Sequence, residues 1–137
     1  MSYALRMIET APAPVTGDTG SLDAGAVAAC IEACLDCAQA CTACADACLD
    51  EEMVADLRRC IRLDADCADV CTATAAVLSR TGAGVEEVRQ ALLAACAEVC
   101  RRCAEECESH ASMHEHCAVC AEACRRCEEA CKALLAG

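Results

Sequence analysis

Residues 30–48 read CIEACLDCAQACTACADAC, with cysteines at 30, 34, 37, 41, 44 and 48. The steps are four, three, four, three and four, the rhythm of one buried helical face. Three further segments repeat the pattern: Cys60, Cys67 and Cys71; Cys96, Cys100, Cys103 and Cys107; and Cys117, Cys120, Cys124, Cys127 and Cys131. Every gap within a segment is three, four or seven residues, so all eighteen thiols fall on four aligned seams. Thiols in such number can form disulfides, cycle as dithiols, or hold soft metal ions.

Packing alone does not account for them. A single core cysteine is an ordinary small hydrophobe. Eighteen in place of leucine forfeit about 1 kcal/mol or more of apolar burial per site, which points to selection for sulfur. Disulfides fit poorly, because neighbours at i and i+3 or i+4 carry parallel Cβ vectors that do not meet. Cross-helix pairs would suit better, but the cytoplasm expected for this chain is reducing. A thioredoxin-like use of the C-x-x-C pairs lacks its βαβ context. Metal binding remains.

Zinc takes closed four-ligand sites, usually on knuckles or loops. Iron–sulfur clusters also draw cysteines from loops that wrap them. Ligands in lines along rigid helices suit Cu(I), which accepts two or three thiolates and bridging sulfur. Each Cu⁺ replaces roughly one thiol proton, so a core with about one ion per thiolate stays near neutral. Tetrathiolate zinc sites would each leave two negative charges in a low-dielectric interior.

The elements that must position the thiols are helices. The chain has 137 residues, one Tyr and no Phe or Trp, so its core is built from Ala, Val, Leu and Cys. The periodicity predicts long helices over residues 22–49 (Ser21 as N-cap), 52–79 and 85–108. Gly82 and Gly84 divide the second from the third. The fourth opens at a Ser112–Glu115 capping box and continues to Leu135. Short connections make this an all-α, up-down-up-down antiparallel four-helix bundle with a cysteine-lined core. Residues 1–20 read as a leader with a short helix over 4–10, and residues 21–137 as the bundle domain. In Cys100-Arg101-Arg102-Cys103 and Cys124-Arg125-Arg126-Cys127, charged residues separate the thiols and face water.

In this topology one end collects Met53, His110, Met113, His114 and His116. By spacing, His110 continues the third seam and Met113 the fourth. Val27, Leu78, Leu92, Leu93 and Leu134 close the opposite end. Thioether and imidazole hold Cu(I) less tightly than a thiolate cluster, so the His/Met end is the expected mouth. Asp64 occupies a core position between Cys60 and Cys67, where a carboxylate needs a partner: a mouth histidine or a metal.

The formal charge of −12 excludes a nucleic-acid partner, which needs Lys and Arg, and a polybasic membrane anchor. The N-terminal MSYALRMIETAPAPVTG has no apolar h-region, and no run of 18 apolar residues appears. The cytoplasm is the expected location, with no membrane association.

The Cys-x2-Cys-x3-Cys run, as in Cys34-Leu35-Asp36-Cys37-Ala38-Gln39-Ala40-Cys41 and again in the third and fourth helices, resembles the cytosolic bacterial copper storage proteins. The His/Met cluster at one end is also similar. The resemblance covers nearly the whole chain from the first long helix to the last. It implies a homotetramer whose bundles fill with many Cu(I) ions, with storage or detoxification and no catalytic turnover. A copper chaperone is a candidate donor. By matching position the resemblance makes all eighteen cysteines ligands and the mouth residues auxiliary ones. The second helix, with only Cys60, Cys67 and Cys71, departs from the strict run. Two other functions fit the thiols: a zinc or mixed-metal buffer like a helical metallothionein, and an iron–sulfur or dithiol redox protein. The latter lacks a substrate pocket.

Overall fold

Asp23 begins the first long helix, its Oδ2 accepting the Ala26 backbone N–H at 3.1 Å. The computed structural model describes residues 2–12, 23–80 and 85–136. Its helices are α1 (Tyr3–Thr10), α2 (Ala24–Leu49), α3 (Arg58–Ser79), α4 (Glu86–His110) and α5 (Glu115–Ala136), with a 3₁₀ turn at Val54–Leu57 before α3. No strand occurs among the described residues. Ser21, Gly82 and Gly84 lie outside them, and the cap of α2 falls two residues later than expected.

Three boundaries depart from the periodicity. The second long helix begins at Arg58 and not at 52, with Leu57 at its N-cap position and no side-chain cap. The chain instead tightens into the 3₁₀ turn, where Asp56 N–H bonds Met53 C=O at 2.9 Å and Leu57 is fully buried. α4 runs two residues beyond 108. The backbone N–H of His114 still bonds the His110 carbonyl at 3.0 Å, so residues 111–113 form a turn. α5 therefore starts at Glu115, with the His114 carbonyl accepting from Cys117 and Ala118. The expected Ser112–Glu115 capping box does not open this helix.

The four long helices pack in a cycle, α2 on α3, α3 on α4, α4 on α5 and α5 on α2. Diagonal helices meet through core sulfurs: Cys41 reaches Cys103 at 4.0 Å and Cys71 reaches Cys127 at 3.8 Å. Exposed charged side chains tie neighbouring helices, as Arg126 does to Asp36 (2.6 Å) and Arg125 to Glu108 (2.8 Å). Exposed pairs of this kind contribute at most about 1 kcal/mol each. By length and mean hydropathy (1.4) α2 could cross a membrane, but half of its most apolar window is buried inside the bundle.

Within the expected leader, α1 is capped by Ser2, whose Oγ accepts the Leu5 N–H at 3.0 Å. Its Ile8 enters the core, with Ala4 and Leu5 packed behind it. At the closed end Val27, Leu78, Leu93 and Leu134 are buried as expected. Leu92 is a correction: it is half-buried on the outer face of α4 beside Val88, Ala91 and Ala95. Leu93, three residues before Cys96, takes the inward position instead.

Candidate metal centre

All eighteen cysteines are free and buried, none more than 2% exposed. The four seams converge because each presents a small side chain to the axis, which lets sulfurs from all four helices approach. From the closed end inward, Cys30 lies 3.8 Å from Cys131 and Cys34 lies 3.6 Å from Cys127, sulfur to sulfur. Next, Cys71 contacts Cys96 (3.8 Å), Cys100 (3.6 Å) and Cys127 (3.8 Å). Cys67 joins Cys100 and Cys37, both at 3.7 Å. Cys37 continues to Cys124 at 3.7 Å, and Cys41 lies 3.6 Å from both Cys124 and Cys120.

Asp64 interrupts the sulfur column as a fully buried carboxyl. Its Oδ1 accepts thiol protons from Cys103 (3.1 Å), Cys120 (3.4 Å) and Cys107 (3.6 Å), and its Oδ2 one from Cys60 (3.8 Å). Its partners are therefore thiols from three helices. Burial, then the nearby Cys120 and Cys103 sulfurs, push its pKa up to about 10, because charge in this dry interior is costly. Asp64 also links the inner column to the outer one, since Cys60 lies 3.7 Å from Cys107.

At the expected mouth Cys44, Cys48, Cys60 and Cys117 form one group. Burial raises the Cys48 thiol and pushes Cys117 up to about 11. Metal binding here must therefore displace protons. His116 caps the group, its Nδ1 lying 3.3 Å from Cys44 Sγ and 3.6 Å from Cys117 Sγ. His114 is buried at 7% exposure, and its ring stacks near that of His116 at 5.6 Å between centroids. Glu51, in the Asp50-Glu51-Glu52 turn after α2, is not among the residues that the spacing singled out. Its Oε2 sits 3.0 Å from His114 Nδ1 and 2.9 Å from His116 Nε2.

The other mouth residues lie outside the column. His110 is half-buried on the rim, its Nε2 held by Glu106 at 2.9 Å. Met53 is 37% and Met113 63% exposed. Met113 does not continue the fourth seam. The chain turns there, and His114 takes the buried place.

The donor set fits many soft cations better than separate hard sites. Four-thiol groups recur with all ligand atoms within 4.8 Å of one another, including Cys34, Cys96, Cys127 and Cys131. Cys37, Cys41, Cys67 and Cys124 each belong to two such groups. Separate tetrathiolate zinc sites take four thiols each, so eighteen unshared thiols would supply only about four of them. Bridging sulfur suits Cu(I).

Solved structures of similar chains carry the same architecture. A copper storage protein of Streptomyces lividans, Ccsp, loaded with 10 copper equivalents, is 61% identical with a TM-score of 0.93, covering 98% of each chain. A cytosolic copper storage protein from the same organism with five coppers is 68% identical over 82% of this chain and 94% of that one, with a TM-score of 0.81. Cu(I)-bound copper storage protein BsCsp3, of Bacillus subtilis, is 39% identical over 78% and 95%, with a TM-score of 0.70. No curated protein matches the chain. The copper storage protein (Csp) pattern matches residues 23–136. The chain belongs to the copper storage protein family.

Proposed function

We propose that the chain stores Cu(I) in the cytoplasm, binding many ions per bundle as cargo and turning over no substrate. The observation that carries this reading is the column of shared, buried sulfurs that runs from the closed end to Asp64 and, across its carboxyl, to the thiols of the mouth. The ligands are the eighteen cysteines, with Asp64 inside the column and His116 and His114 at its outer end. His110, Met53 and Met113 serve at the rim as weaker, exchangeable donors. Residues 21–137 form the storage unit and residues 1–20 its leader. A homotetramer, implied by the family resemblance of the Cys-x2-Cys-x3-Cys runs, and a copper chaperone as donor complete the reading.

Anaerobic titration of reduced protein with Cu(I), against a tight cuprous chelator, should count ions near or above the cysteine number. Saturation at one or two equivalents would indicate a single cluster. Saturation near four with preference for Zn²⁺ would indicate a zinc buffer. The mouth has its own test. Combined alanine replacement of His110, His114 and His116 should slow loading or unloading while leaving total capacity nearly intact, and unchanged kinetics would sink the mouth.

A further inference from the structure

A buried imidazole nitrogen without a hydrogen-bond partner calls for an explanation, and His114 Nε2 is one. Its ring is more than nine-tenths buried, and its other nitrogen is committed to Glu51 at 3.0 Å. His116 shows the complementary arrangement. Its Nε2 is committed to the same Glu51 oxygen at 2.9 Å, while its Nδ1 faces Cys44 and Cys117. An ionised carboxylate only accepts hydrogen bonds, so each nitrogen facing Glu51 must carry the proton.

We propose that Glu51 is the positioning residue of the mouth: one carboxylate oxygen fixes His114 as the Nδ1–H tautomer and His116 as the Nε2–H tautomer. Each ring is thereby left with one bare nitrogen turned away from Glu51. The bare Nδ1 of His116 stands over the Cys44 and Cys117 sulfurs. The bare Nε2 of His114 is shielded from water, so no solvent proton donor satisfies it. Carboxylates that hold the far nitrogen of a ligating histidine set its tautomer and raise its basicity. Here one such group serves two rings, and Cu(I) meets two preset nitrogen donors before it meets the thiols. The inference rests on the reading of this end as the mouth.

The first test needs no metal. Long-range ¹H–¹⁵N correlation spectra of reduced apo protein report which ring nitrogen carries the proton. His114 is the diagnostic residue, because Nδ1–H is the minor tautomer of a free neutral histidine. The parent should show Nδ1–H at His114 and Nε2–H at His116. Glu51→Ala should convert His114 to the Nε2–H form, and Glu52→Ala, with the same charge loss on an exposed side chain, should convert nothing. The second test is capture of the first Cu(I) equivalent from its bicinchoninate complex, which should slow about 10-fold in Glu51→Ala and not in Glu52→Ala. An Nε2–H signature at His114 in the parent overturns the proposal, as does an unchanged His114 signature in Glu51→Ala. If the tautomer converts and capture is unaffected, the positioning stands and the reading of this end as the mouth falls.

Discussion

Replacing Asp64 by asparagine is expected to stabilise the metal-free bundle by about 4 kcal/mol at pH 7. The folded carboxyl keeps its proton to about pH 10, whereas the unfolded one releases it near 3.8. Between those values the folded state binds one proton more than the unfolded state, so stability falls as pH rises. It is present in full below pH 3.8 and is lost progressively up to pH 10. Asparagine keeps an oxygen that can accept from the Cys103, Cys120 and Cys107 thiols and has no proton to lose in this window. Urea unfolding of reduced apo protein between about pH 5 and pH 8 should show the advantage of Asp64→Asn growing by about 1.4 kcal/mol per pH unit. A difference that stays constant across that range would show that Asp64 is not held protonated by the fold. Taking the difference between the two proteins removes the histidines, whose titration both share.

The second large effect concerns capacity. Cys37, Cys41 and Cys124 form a triangle at the middle of the column, with sulfur separations of 3.9, 3.6 and 3.7 Å. Each belongs to two four-thiol groups, so each can bridge ions on both sides. The triple variant Cys37→Ala, Cys41→Ala, Cys124→Ala should lose more ions than the sulfurs removed, about five for three thiols, because bridging sulfur is shared between Cu(I) ions. The voids left behind should also cost the apo bundle about 1 kcal/mol per site. Counting bound Cu(I) in parent and variant decides the matter, with far-UV circular dichroism to confirm that the helices persist. A loss of three ions or fewer would show that the sulfurs act one for one, without a shared network.

The seams were legible in the sequence because helical geometry makes i+3, i+4 and i+7 spacing equivalent to a shared face, whatever the bundle around it. The closed end was legible for the same reason at Val27, Leu78, Leu93 and Leu134. Leu92 was not, since spacings of three and four from Cys96 compete and only packing decides between them. The mouth was read less well, because it is built from turns. There the backbone of His114 stays bonded to His110, which hides His114 and exposes Met113. Asp64 was recognised as a buried carboxyl without its partners on other helices, which lie about 40 to 56 residues away in sequence. Glu51 was missed altogether. Its link to His116 spans 65 residues, and nothing about an Asp-Glu-Glu turn distinguishes the middle acid. Docking of α1 through Ile8 was equally hidden behind the short Pro- and Gly-rich segment that follows it.

The separation of roles across each helix has a consequence for how such a container is read from outside. Among the described residues the sulfurs hydrogen-bond one another, Asp64 and His116, while the Arg and Glu pairs of the outer coat hydrogen-bond among themselves and to neighbouring helices. An ion that displaces a thiol proton in the interior therefore alters no group that a visiting molecule could touch along the flanks. Of the surface described, the small disc around Glu51, His114 and His116 adjoins the sulfurs through His116, and there the state of the interior lies nearest to a visiting molecule.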